Sequence, residues 1–217
     1  MQFESQLPDG RRILFRPISP DDKDLLEAGF RRLSPASRYR RFFRSIDHLS
    51  PAQLKYLTEV DGIDHVAWVA VLPDAPPDEQ GAGVARWVRL PEEPEAAEAA
   101  VTVVDSLHGV GIGTTLLHLL AREAVTRGVH CFKAWVLGEN QAIQAVLKDL
   151  GARPGKWEAG TLEMTVPLPA DPDAIDATPA PLILKAVAEG RLAGRVRSQD
   201  PAGVHLEPPA EDQPISP

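Results

Sequence analysis

Apolar positions recur along the chain in two periods, and the switches between them mark the elements. Residues 12–16, reading Arg-Ile-Leu-Phe-Arg, predict a short strand after the turn residues Pro8-Asp9-Gly10. Pro20-Asp21-Asp22 opens a helix, and Leu25, Leu26, Phe30 and Leu33 give it an apolar stripe. Ser34-Pro35 starts a second helix through Tyr39, Phe42 and Phe43, and Ser50-Pro51 a third with Leu54, Tyr56 and Leu57. Strand-like runs at 65–72 and 83–90 flank a loop rich in proline and aspartate. A second break at 91–95 precedes an apolar strand at 99–104. The helix expected at 111–127 carries Leu116, Leu120 and Ala124 at i, i+4 and i+8. A strand at 131–137, a helix at 140–150 and a last strand at 161–168 complete the pattern.

Strands first, then helix, strand, helix, strand, predict an α+β (α/β/α) architecture: a mixed sheet with helices on both faces. Near residue 170 the pattern fails. Proline and aspartate dominate, one amphipathic helix is expected at 180–196, and the stretch after it has too little apolar surface to offset its ordering entropy. The expected division is a core at 1–169 and an appendage at 170–217.

Composition narrows the classes. A net charge of -8 offers no broad attraction to nucleic acid or an anionic membrane, so neither is an expected partner and any anion site must be built locally. The single cysteine, Cys131, allows no internal disulfide and fits a reducing cytoplasm. The first residues lack the layout of a signal peptide, and no apolar run approaches the roughly 20 residues of a membrane span. No zinc-ligand spacing stands out, so no metal is expected.

One segment can build such an anion site. His108-Gly109-Val110-Gly111-Ile112-Gly113-Thr114 joins a strand to a helix. The first backbone N–H groups of a helix lack intrahelical partners, and the helix dipole lies behind them. Glycines let an anion approach without a Cβ in the way. A Walker loop would require lysine after Gly113, where Thr114 stands. A dinucleotide fingerprint would require a third glycine where Thr114 stands. A tight turn with a glycine cap is the plain alternative for this loop alone.

The surrounding residues resemble the GCN5-related N-acetyltransferase (GNAT) superfamily from about 97 to 151. The loop stands where that superfamily has Gln/Arg-x-x-Gly-x-Gly/Ala, with His108 and Val110 as departures, and Gly138-Glu139-Asn140 followed by Gly151 fits the segment downstream. Over about 10–168 the chain is also similar to the acetyltransferase domain of bacterial protein-lysine acetyltransferases. Leu33-Ser34-Pro35-Ala36-Ser37-Arg38-Tyr39-Arg40-Arg41-Phe42-Phe43, Leu57-Thr58-Glu59-Val60-Asp61 and His65-Val66-Ala67 carry that likeness.

The resemblance implies a GNAT fold with a mostly antiparallel sheet, acetyl-CoA as cosubstrate, and a primary amine as acceptor, a protein lysine among the candidates. A small-molecule amine, or a catalytically weak acyl-CoA-binding regulatory role, is the alternative, and a homodimer is a candidate assembly. It implies Glu98 as the base that removes the amine proton. Its neighbours Ala97, Ala99 and Val101 predict poor solvation and a raised pKa. A solvated glutamate after the acidic run is the plainer alternative.

The resemblance further implies that Val101, Thr102 and Val103 line the pantetheine arm, with Val103 N–H as oxyanion donor. Residues His108, Gly109, Val110, Gly111, Ile112, Gly113 and Thr114 would hold the diphosphate. Asn140 would bond the pantetheine or cap the next helix. The tyrosine that relatives carry on that helix is replaced by Leu147. Cys131 is expected as a core thiol rather than an acyl carrier. The six arginines of 31–44 are expected on a solvated helix face, with Tyr39, Phe42 and Phe43 turned inward.

Overall fold

The computed structural model describes residues 2–138, 144, 148 and 151–171. The helices expected at 140–150 and 180–196, together with nearly all of the appendage, lie outside the described residues. The described chain forms one eight-stranded sheet in the order β1-β2-β3-β4-β5-β6-β8-β7. Its strands are β1 (Phe3–Gln6), β2 (Arg12–Pro17), β3 (His65–Val71), β4 (Gly81–Leu90), β5 (Glu93–Val103), β6 (Cys131–Leu137), β7 (Arg153–Glu158) and β8 (Thr161–Pro167). Every pairing is antiparallel except β5 with β6.

Helices α1 (Lys23–Arg31), α2 (Pro35–Phe42) and α3 (Pro51–Thr58) fill the connection from β2 to β3, and α4 (Ile112–Thr126) the connection from β5 to β6. The starts of α2 and α3 follow one rule. Ser34 and Ser50 accept from the N–H three residues on, and Pro35 and Pro51 stand where a missing N–H costs nothing.

Alternation along β3 sorts the two faces. Val66, Trp68 and Ala70 join the main core with Leu116, Leu117 and Leu120 of α4. Ala67, Val69 and Val71 face the other way and pack with Leu25 of α1. Behind α1 to α3 a separate cluster holds Phe30, Leu33, Leu49 and Leu57. Leu116 has no exposed surface, so Leu116→Ala should cost about 2–5 kcal/mol, measured as a lower urea midpoint with an unchanged slope.

The structure corrects one strand expectation and adds two strands. The expected break at 91–95 is only a tight turn, and β5 begins at Glu93, six residues before the apolar run. Glu93 and Glu95 are exposed strand residues rather than loop residues. Strands β1 and β7 have exposed side chains throughout, so neither shows the alternation that betrays a half-buried strand.

Candidate active site

Strands β5 and β6 are paired over only three positions, Ala96 with Cys131, Ala97 with Phe132 and Glu98 with Lys133. Beyond Glu98 the two strands continue without pairing to each other. Strand β5 stays with β4 as far as Val103, while β6 stays with β8 as far as Leu137. The sheet therefore forks, with Glu98 on the last shared rung. Val104 N–H donates to Ala82 O at 3.0 Å. Alternation along an extended strand then turns the N–H and C=O of Val101 and Val103 away from β4, toward the fork. The His108 ring lies on that side, with its Nε2–H donating to Val103 O at 2.9 Å.

The fork opens toward the start of α4. A short helical turn, Asp105–Leu107, leads from β5 into the loop. Gly109 and Gly111 take positive φ of 80° and 91°, which L side chains rarely adopt. Gly111 is the N-cap of α4 and no side chain caps the helix. Thr115 N–H makes the first intrahelical bond, to Gly111 O at 3.0 Å. The N–H groups of Ile112, Gly113 and Thr114 therefore have no intrahelical acceptor. An uncapped helix start behind two left-handed glycines suits the diphosphate of a CoA ester, and the outward amides of β5 suit its pantetheine arm. A bound acetyl-CoA would supply the thioester; the chain's own residues would hold it and manage the acceptor's proton.

Asp105 ties this loop to α2. Its carboxylate accepts from Ser34 N–H at 2.9 Å, Ser34 Oγ–H at 2.9 Å and Ser37 Oγ–H at 2.7 Å. Burial pushes the Asp105 pKa up, but the Ser37 and Ser34 donors outweigh it and hold the carboxyl below its ordinary value. The depressed folded value means that this stabilisation is complete above the ordinary carboxyl pKa and is lost as pH falls through the lower folded value. Asp105→Asn is expected to cost about 1–3 kcal/mol at pH 7. In urea titrations the deficit should begin to shrink as pH falls below the ordinary carboxyl value of about 4, and should vanish below the lower folded value.

On the α1–α3 side of the fork lies a cleft of about 310 Å³, lined by Glu98 and Ala100 of β5, Lys133 and Trp135 of β6, Tyr56 of α3 and Arg41 of α2. Arg86, which lines it, belongs to a buried polar cluster behind the cleft. Arg86 contacts His65 Nε2 at 2.9 Å and donates to Leu57 O at 2.9 Å. Burial, then the Arg86 charge, pushes the His65 pKa down to about 3, so its ring is neutral at physiological pH. The Tyr56 ring lies 5.0 Å from that imidazole. Lys133 is held by Glu93 at 2.6 Å and Glu163 at 3.4 Å. Cys131 is half-buried, and burial pushes its thiol pKa up, which lowers the thiolate fraction an acyl carrier would need.

The structure thus gathers the expected residues at one fork. Val101, Thr102 and Val103 run along its open edge, and 108–114 close its end. Glu98 is 9 % exposed and in mid-strand, so the solvated alternative does not hold. Nor is it surrounded only by Ala and Val, since Arg41 faces the same cleft. Asn140 and Leu147 lie outside the described residues. The arginine-rich segment is corrected: Arg41 is 6 % exposed, whereas Tyr39 is 45 % exposed. Sequence reasoning passed over Arg41, Tyr56, His65 and Arg86 as site residues. One signal was present: Ser34, Ser37 and Arg41 recur at i, i+3 and i+7, a polar stripe on one helix face. Among the described residues no cluster suits a metal ion, and no helix is long and apolar enough to cross a membrane.

Comparison with known proteins gives a consistent assignment. The family model described as acetyltransferase (GNAT) domain matches residues 12–153. The chain is 34% identical over 184 residues to Acetyltransferase Pat of Mycolicibacterium smegmatis, covering 79% of this chain and 52% of that protein. It therefore spans about half the length of that relative. An acetyltransferase of Pseudomonas aeruginosa is 31% identical over 145 residues, covering 67% of this chain and 77% of that protein. Among solved structures, the GNAT domain of S. lividans PAT superposes with a TM-score of 0.67 at 27% identity, over 77% of this chain and 97% of that one.

Proposed function

Because the chain belongs to the GNAT acetyltransferase family, we propose that it transfers the acetyl group of acetyl-CoA directly to a primary amine bound in the cleft beside Glu98. The observation that carries this reading is the fork itself. A buried carboxylate stands on its last rung, outward amides line one arm, and an uncapped helix start lies at its mouth. In this reading the N–H groups of 109–114 hold the diphosphate, and Val101, Thr102 and Val103 align the pantetheine as an added strand would. Val103 N–H donates to the carbonyl oxygen as negative charge develops there.

Glu98 removes the proton of an acceptor ammonium, whose unperturbed pKa is about 10.4 for lysine. The neutral amine then attacks the thioester carbonyl, the CoA thiolate leaves, and the second proton lost from the attacking nitrogen passes to that thiolate or to solvent. The thiolate needs no strong acid, because a thiol pKa of about 8.5 makes it a tolerable leaving group near neutral pH. The likeness of residues 33–43, 57–61 and 65–67 to bacterial protein-lysine acetyltransferases supports a protein lysine as the acceptor. The family core is proposed to be residues 1–169, acting in the cytoplasm.

The test is transfer by the full chain from acetyl-CoA to an N-blocked lysine peptide and, separately, to a small diamine. CoA thiol release and the acetylated product would be followed together. Peptide acetylation well above diamine acetylation supports the protein-lysine reading, and the reverse order assigns a small-amine acceptor. Acetyl-CoA binding with no release of thiol to either would leave the regulatory alternative in place.

A further inference from the structure

We infer that Arg86 is the anion-recognition residue of this cleft: its buried guanidinium is placed to receive a carboxylate carried by the amine acceptor. The inference rests on the reading of this cleft as the acceptor site.

Arg86 is a buried charge without a counter-charge. It stands in mid-strand on β4 and is 3 % exposed. A guanidinium taken out of water is costly unless an anion faces it. Both hydrogen-bond partners of Arg86 are neutral. One nitrogen meets His65 Nε2 at 2.9 Å and the other donates to Leu57 O at 2.9 Å. A guanidinium only donates, so His65 accepts at Nε2 and carries its proton on Nδ1. Among the described residues no carboxylate pairs with Arg86. The guanidinium has more N–H donors than these two contacts use.

The carboxylates around this cluster are committed elsewhere. Asp61 accepts from the N–H groups of Ile63, Asp64 and His65. Asp64 is held by Arg89 at 2.6 Å. Glu93 and Glu163 share Lys133. Burial, then the like charge of Arg41, pushes the Arg86 pKa down to about 9. A carboxylate arriving in the cleft relieves both effects.

The ladder between β4 and β5 says what that carboxylate belongs to. Arg86 pairs with Ala100, and Glu98 pairs with Val88. Arg86 and Glu98 line the same cleft, as diagonal neighbours roughly 7–8 Å apart on one face. The guanidinium leans from there toward α3, where it meets Leu57 O. One ligand can therefore set its amine at Glu98 and its acid group at Arg86. The planar guanidinium suits a carboxylate, which it can bind through two parallel N–H···O bonds. The lysines of the cleft suit it less. Lys133 is held by its two glutamates, and Lys156 lies on the exposed strand β7, where solvent screens it.

The acceptor is thus an amine with a carboxylate nearby. Two sources share that chemistry: an acidic side chain beside the target lysine of a protein, and the α-carboxylate of a free amino acid.

The test uses the full chain, acetyl-CoA and two matched pairs of acceptors. The first pair is an end-blocked lysine peptide with glutamate beside the lysine, and the same peptide with glutamine there. The second is Nα-acetyl-lysine and its amide. The acid member of at least one pair should exceed its neutral partner by about 10–100-fold in kcat/KM, chiefly through KM. A preference in the peptide pair assigns an acidic protein segment, and one confined to the second pair assigns a free amino acid. In Arg86→Gln the preference should fall close to one, with the KM for acetyl-CoA within about twofold of wild type.

No preference in either pair, or a preference that survives Arg86→Gln, overturns the inference. If that variant does not fold, Arg86→Lys decides. It keeps the charge and loses the planar donor set, so the preference should drop several-fold, and an unchanged preference overturns the inference. The two readings fail separately. Equal acetylation of acid and neutral members ends the role of Arg86 and leaves acetyl transfer intact. If no amine is acetylated, calorimetric titration with the same pairs decides. Tighter binding of the acid member that is lost in Arg86→Gln keeps the anion site while the transfer reading ends, and equal binding ends both.

Discussion

Glu98→Gln is expected to lower kcat by about 10²–10⁴-fold while leaving the KM for acetyl-CoA nearly unchanged. The substitution keeps the shape of the side chain and removes its ability to take a proton. At neutral pH a lysine acceptor arrives as an ammonium, and its lone pair is available only after that proton has gone. The phosphate loop lies at the other end of the fork, so cosubstrate binding should survive. The variant also removes the negative charge that faces the buried Arg41. The buried guanidinium of Arg41 then lines the cleft with less compensating charge, so a lower melting temperature should accompany the kinetic loss. The two effects are separated by measuring kcat at a temperature where circular dichroism shows the variant fully folded. Turnover within about threefold of wild type under those conditions would remove Glu98 from the chemistry.

The sequence carried most of the frame of this site and little of its floor. Residues 98–114 were legible because each part rests on local chemistry. An apolar strand, a glycine-rich junction and the uncapped start of a helix can all be read within twenty residues. Helix starts at Ser34-Pro35 and Ser50-Pro51 were legible for the same reason. What stayed hidden depends on contacts distant in sequence. The fork exists because β5 and β6 lose their pairing after Glu98, and no residue type encodes that loss.

Arg41 looks like its neighbours in a basic run. Only the docking of α2, through Ser34 and Ser37 on Asp105 about 70 residues away, turns it inward. The first rungs of β5 were missed because Glu93 and Glu95 read as loop chemistry. In the sheet, Glu93 is the partner of Lys133. The expectation for Glu98 drew on its neighbours in sequence and so supposed an apolar setting. Its cross-strand partners are Val88 and Lys133, and Arg41 and Tyr56 line the same cleft, so the setting is part apolar and part polar.

Gly111→Glu is expected to weaken acetyl-CoA binding by about 100-fold or more while leaving the fold nearly as stable as before. The reason is a near cancellation in the protein that does not extend to the complex. A non-glycine residue at φ 91° costs about 1–2 kcal/mol, but a Cβ there meets nothing within 4 Å, so no clash is added. The new carboxylate lies at the start of α4, where the helix dipole returns about 0.3–1 kcal/mol. The net change in stability is therefore about 1 kcal/mol.

For the bound diphosphate the balance is different. A unit of like charge about 5 Å away, at an effective dielectric of about 20, repels it by about 3 kcal/mol, which is more than 100-fold in affinity. The carboxylate also competes for the N–H groups of Ile112 and Gly113. Gly111→Ala separates the causes, since it carries the backbone strain without the charge and should lose at most about tenfold. Calorimetric titration with acetyl-CoA, together with the shift in melting temperature it produces, measures both variants. If Gly111→Glu bound acetyl-CoA as tightly as Gly111→Ala, the diphosphate would have to lie away from the α4 terminus, and the loop would be no more than a turn.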